Sequence, residues 1–150
     1  MKKNEERPLL TILIIMLITF VVSVGILLLT IFLHDPKKDI MEDYEKHLAK
    51  RTELVDLVKT YQLEYDENGL ITNLDKVDLS GLAHNDKVYV KYNEEEKVIV
   101  EFVYNSGFPD EGQSIFYSSG GKKLLEEKID KTLYAHIEEI NDNWCIVQWN

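Results

Sequence analysis

The side chains able to do chemistry are few and scattered along the 150 residues. The four histidines fall in unrelated settings: His34 at the edge of an apolar run, His47 on a helix, His84 in a turn and His136 inside a strand. Zinc needs imidazoles or thiolates at short fixed spacings, and neither H-E-x-x-H nor paired cysteines occur. The segment DENGLITNLD, residues 66–75, offers the oxygens of a calcium loop. Its glycine, Gly69, stands at position 4 rather than 6, with Leu70 at 5 and Val77 at 12, so a turn is expected instead. Ser106, Ser114, Ser118 and Ser119 lack the G-x-S-x-G setting, and nothing places a histidine and a carboxylate beside any of them. SSGGKK, residues 118–123, lacks the spacing of a phosphate loop.

Adjacent carboxylates at Asp110 and Glu111 are expected to be solvated, because a general acid needs an environment that raises its pKa. Cys145 is the only cysteine. It rules out an internal disulfide and a thiolate metal site, and its place in NWCIVQW makes it a buried structural thiol. No catalytic residue, metal or cofactor is therefore expected, and the chain reads as something other than an enzyme. An envelope hydrolase using Asp110, Glu111 or His136 as acid and base ranks last.

Residues 102–123, FVYNSGFPDEGQSIFYSSGGKK, hold the best remaining candidate. Two Tyr-containing apolar runs flank a loop of Gly, Pro, Asp, Glu, Gln and Ser, with one apolar residue, Phe108, at its centre. In one reading Phe108 folds back onto the core and the loop is a long hairpin connection. In the other, Phe108, Asp110, Glu111 and nearby Tyr117 form a recognition rim, since loops on a rigid sheet often carry binding residues. Trp144 and Trp149 are five apart on one strand and face opposite sides, so one is core and the other part-exposed; Trp149 joins the partner-binding candidates. Were this last strand an edge, its open ladder would accept a partner strand.

The elements that position these residues begin with a 25-residue uncharged run, Leu9 to Leu33. As a helix it reaches roughly 37 Å, beyond the ~30 Å hydrocarbon core of a bilayer. Ser23-Val24-Gly25 has the form of a signal-peptidase site, but the apolar run continues for eight residues beyond it, which favours an uncleaved signal anchor. The expected division is a short cytoplasmic tail at 1–8, a transmembrane helix at 9–33 and an extracytoplasmic domain at 34–150. Orientation rests on the short tail with Lys2, Lys3 and Arg7, and on the acidic residues that accompany Lys37, Lys38, Lys46, Lys50 and Arg51. A disulfide-free domain outside the cell suits a Gram-positive-like cell membrane.

Three of the 17 basic and two of the 27 acidic residues precede residue 35, which leaves residues 35–150 with a formal charge of −11. Nucleic acid and anionic lipid head groups are repelled by such a surface, whereas a cationic partner is attracted. Asp35 and Pro36 suit a helix start, and Ile40, Tyr44, Leu48, Leu54, Val55 and Val58 recur at helical intervals to about residue 61. Short extended pieces with turns at Asn68-Gly69 and Ser80-Gly81 follow.

From Lys87 the period becomes two. KVYVKY and KVIVEFVY form a hairpin with Val88, Val90, Tyr92, Val98, Val100, Phe102 and Tyr104 on one face, and with Lys91 and Glu101 on a partly wet second face. SIFYS, LYAHIEEI and WCIVQW supply further strands joined as hairpins, with one or two helical turns within 122–131. The fold class is α+β, a long amphipathic helix packed on a four- to five-stranded antiparallel sheet.

This arrangement is similar to cystatin-like or NTF2-like folds, a likeness of fold that transfers no function. One span plus a small NTF2-like domain also resembles some conjugation-channel subunits, which implies a sensor or a secretion or conjugation-machine subunit as the alternative role. The leading expectation is a single-pass membrane-anchored binding module outside the cytoplasm, serving an accessory, immunity or envelope-assembly role. Its partners would be the lipid bilayer through residues 9–33 and a protein or cell-envelope partner, with no nucleic acid. Thr19 and Ser23 stand four apart, a spacing that lets helices approach but does not by itself establish a homodimer.

Overall fold

Asp35 and Pro36 start a helix as their chemistry requires. In the computed structural model, which describes residues 6–33, 35–73, 77–94, 96–105 and 112–149, Asp35 Oδ1 accepts the backbone N–H groups of Lys37 at 3.1 Å and Lys38 at 3.4 Å. The helix they cap, α2 (Pro36–Lys59), follows α1 (Glu6–Leu33). Two compact units divide the chain, Met1–Asp39 and Ile40–Asn150. In the first, Leu10–Leu29 is long and apolar enough to cross a membrane. Two of its polar residues bond within the helix: the Thr19 hydroxyl donates to the Ile15 carbonyl and the Ser23 hydroxyl to that of Thr19, both at 2.8 Å.

The second unit is α+β. Its strands are β1 (Val88–Glu94), β2 (Lys97–Asn105), β3 (Gln113–Ser118), β4 (Tyr134–Glu139) and β5 (Trp144–Trp149), with α3 (Gly121–Lys128) between β3 and β4. They form one antiparallel sheet in the order β1-β2-β3-β5-β4. The expected chain of hairpins therefore breaks once. β3 leads through α3 to the far edge, and β5 returns between β3 and β4. The last strand is interior, and the edges are β1 and β4.

Part of the β1 edge is taken by the chain itself. Val90 N–H donates to the Gly69 carbonyl at 2.7 Å, and Ile71 N–H to that of Val88 at 3.1 Å. Gly69 sits at φ +84°, and a Cβ there would collide with the Val90 carbonyl, so the Asn68-Gly69 turn admits no larger residue. Asp66 Oδ1 closes that turn by accepting from Asn68 and Leu70, which is the structural use of the supposed calcium oxygens.

A bulge changes the expected faces. Val90 pairs with Val100 but Tyr92 pairs with Ile99, so Lys91 is the extra residue and Tyr92 turns to the opposite side from Val88 and Val90. The second face is wet only in part: Lys91 is exposed, whereas α3 covers much of the rest. Leu124 and Leu125 pack there with Ile99, Phe116, Ile137, Cys145 and Val147 as a second core, and Glu101 is only 5% exposed. The first core joins α2 to the other face through Ile40, Tyr44, Leu54, Val55 and Val58 against Val88, Val100, Phe102, Ile115 and Trp144. Trp144 is its aromatic centre, 5.6 Å from Tyr44, 5.9 Å from Phe102 and 5.3 Å from Tyr117 between ring centroids.

The C-terminus of α2 carries local strain. Gln62 N–H reaches back to the Leu57 carbonyl at 3.0 Å and Tyr61 N–H to that of Val58 at 3.1 Å, the bonding of a helix end whose turning residue is usually glycine. Tyr61 occupies that place at φ +54° with its side chain exposed. Tyr61→Gly is expected to raise the unfolding free energy by about 1 kcal/mol, read as a later urea midpoint at unchanged slope.

Candidate functional site

Phe108, Asp110 and Glu111 lie outside the described residues. The other two candidates occupy opposite faces of the sheet. Tyr117 is half-buried beside Trp144 on the α2 face, with Lys59 Nζ 4.8 Å from its ring centroid. Trp149 packs on the α3 face, 5.7 Å from Phe116. Its indole N–H donates to Ser114 Oγ at 2.9 Å and its backbone N–H to the Gly112 carbonyl at 2.8 Å. Trp144 is thus the core tryptophan and Trp149 the part-exposed one.

Trp149 belongs to a polar chain that periodicity gave no reason to expect. Ser114 is fully buried; it accepts from Trp149 and donates to Glu101 Oε1 at 2.7 Å, while Lys91 Nζ stands 2.9 Å from Glu101 Oε2. The bulge at Lys91 adds a residue to β1 ahead of Tyr92, and the ammonium meets the carboxylate across the strand pair. A buried serine beside a carboxylate has the outline of a nucleophile and base, but its hydroxyl is enclosed and both its hydrogen bonds are committed, so it holds strands together.

His136 is exposed on β4, and His84 lies in a short helical turn, His84–Asp86. Among the described residues, no group of three or more His, Cys, Asp or Glu side chains is arranged to hold a metal. Gly121 of SSGGKK sits at φ +62°, where a Cβ would stand 2.6 Å from the Asp142 carbonyl oxygen; the glycine serves a close backbone approach.

Cys145 is fully buried, and burial, followed by Glu139, pushes its thiol up to about 11. The thiolate is the reacting form, so the native thiol is expected to resist a maleimide at pH 8 and to react at the rate of unfolding. A folded pKa above the unfolded value means that the thiol's contribution is intact below about 9 and lost as pH rises toward 11. Cys145→Ala should therefore show a shallower alkaline loss of stability across that window in parallel urea titrations.

A concave feature lies between α2 and residues 77–82. Arg51, 1% exposed, reaches across from α2: Nε and Nη2 donate to the Leu82 carbonyl at 3.1 and 2.7 Å, Nη2 also to Asp43 Oδ2 at 2.6 Å, and Nη1 to the Asp43 carbonyl at 3.3 Å. His47 Nδ1 shares the other Asp43 oxygen at 3.1 Å, and the guanidinium carbon lies 5.5 Å from the Phe102 ring centroid. Further out, Lys50 Nζ stands 3.4 Å from Asp78 Oδ2. The Ser80 backbone N–H bonded to Asp78, then the Lys50 charge, hold that carboxyl below its usual range.

These bonds fix the 77–82 segment against the helix and leave a cleft of about 190 Å³. Buried Leu54 and Leu82 with Leu57 and Val77 make its walls apolar, and Lys50, Glu53 and Asp78 supply its charged groups. Helical spacing alone assigns Leu54 to the core-facing stripe and does not single out Leu57, and Val77 and Leu82 fall where the sequence shows only short extended pieces. The chain matches no family model, no curated protein and no solved structure.

Proposed function

We propose that the protein is a membrane-tethered binding module whose acidic α+β unit works outside the cytoplasm. The observation that carries the reading is the uncharged helix Leu10–Leu29, long enough to cross a bilayer, followed by a folded unit with two hydrophobic cores. In this reading the protein is not an enzyme; the buried Ser114–Glu101 pair and Cys145 serve the fold. In this reading residues 1–8 are cytoplasmic, 9–33 span the membrane, and the helix-on-sheet unit, cystatin-like or NTF2-like in outline, presents a surface to a protein or envelope partner as an accessory, immunity or assembly component.

The test is membrane fractionation of cells making the full chain, with protease shaving of intact cells and N-terminal sequencing of the mature product. The expected result is a chain retained by alkaline-washed membranes, cleaved from outside and beginning before residue 9. Mature protein starting beyond Gly25 would make α1 a signal sequence, and a chain protected from external protease would reverse the orientation. Exchange of α1 for an unrelated span should preserve activity of a simple tether, whereas a sensor or secretion-machine subunit would lose it.

A further inference from the structure

We propose that the cleft between α2 and residues 77–82 is the partner site of this module, and that its occupant is a basic peptide segment seating one aliphatic side chain against Leu57 and Val77, over the buried floor of Leu54 and Leu82, with a Lys or Arg beside Glu53. The inference rests on the reading of the protein as a binding module. Size sets the first limit: about 190 Å³ is below the roughly 300–1,000 Å³ of sites that enclose a whole small molecule. It suits one large apolar side chain, the kind of anchor on which peptide recognition concentrates.

Preorganisation is the second argument. Arg51 clamps the Leu82 carbonyl twice, Leu82 N–H closes a turn onto Leu79 at 2.9 Å, and Asp78 is held by Ser80 and Lys50. The walls are in place before anything binds, so little ordering opposes association. Charge decides the occupant. Lys50 is answered by Asp78, whereas Glu53 makes no ion pair among the described residues, so the rim presents one uncompensated negative charge. The formal charge of −11 on residues 35–150 attracts cations to the same unit and repels anionic lipid and nucleic acid.

The experiment uses the full chain, isotope-labelled in zwitterionic nanodiscs, titrated with the capped peptide Lys-Lys-Leu-Lys-Lys while backbone amide shifts are followed. Shifts centred on residues 50–57 and 77–82 are expected, with affinity roughly tenfold above that of Lys-Lys-Ser-Lys-Lys. Glu-Glu-Leu-Glu-Glu is expected not to bind. Glu53 is exposed on the helix, so Glu53→Lys should leave the spectrum of the free protein largely intact and weaken the leucine peptide by about tenfold. Equal binding of the serine or acidic peptide, shifts confined to another surface, or indifference to Glu53→Lys would each overturn the site. Membrane loss in the fractionation test would instead remove the tether and leave this result standing.

Discussion

Asp43→Ala is expected to lower the unfolding free energy by about 3 kcal/mol, because it leaves Arg51 charged and buried without a carboxylate. Asp43 is itself about one-quarter exposed, which places the loss at the low end of the range for a broken buried pair. Replacing Arg51 as well should recover much of it. In the Asp43→Ala, Arg51→Met protein no buried charge remains, and the methionine covers the Phe102 ring in place of the guanidinium. A double-mutant cycle of urea titrations on the full chain in micelles, read by tryptophan fluorescence, measures this. A single Asp43→Ala loss under about 1 kcal/mol would mean that water reaches the guanidinium. The cycle also bears on the cleft, since the same guanidinium fixes Leu82; Asp43→Ala should weaken the leucine peptide more than the serine one.

The local elements were legible because each depends on neighbours in sequence. The α2 stripe, its Asp35-Pro36 start, the uncharged run of α1 and the alternation in VIVEFV all state their conformation within a few residues. Three features depended on distant choices. Alternation cannot register the extra residue at Lys91, which turns Tyr92 to the face opposite the one that a strict period of two assigns. Strand order follows from which partner β3 accepts, and β5 at its free edge displaces the hairpin with β4. The second core exists because α3, though short, carries the adjacent Leu124 and Leu125, which together cover Ile99 and Phe116. The candidate site was the least legible part. Arg51 reads as a solvated charge on the helix until Leu82, thirty-one residues later, presents its carbonyl.

Glu101→Lys is expected to cost about 3–5 kcal/mol, a large part of the roughly 5–15 kcal/mol that holds a domain of this kind together. The new ammonium would be buried beside Lys91, and Ser114 would lose the acceptor its hydroxyl now has at 2.7 Å. Trp149 would feel the change through Ser114, so the indole N–H resonance should move even in the surviving folded fraction. Glu101→Gln separates charge from shape: the amide can still accept from Ser114, but Lys91 loses its counter-ion, and a cost of about 1–2 kcal/mol follows. Lys91 is about one-third exposed and can turn toward water, which is why this smaller change is tolerated. If the second face were wet, both substitutions would fall within about 0.5 kcal/mol of the parent, as surface changes do. The difference between them therefore measures how completely α3, Trp149 and the long side chains of β1 close the sheet on the side away from α2.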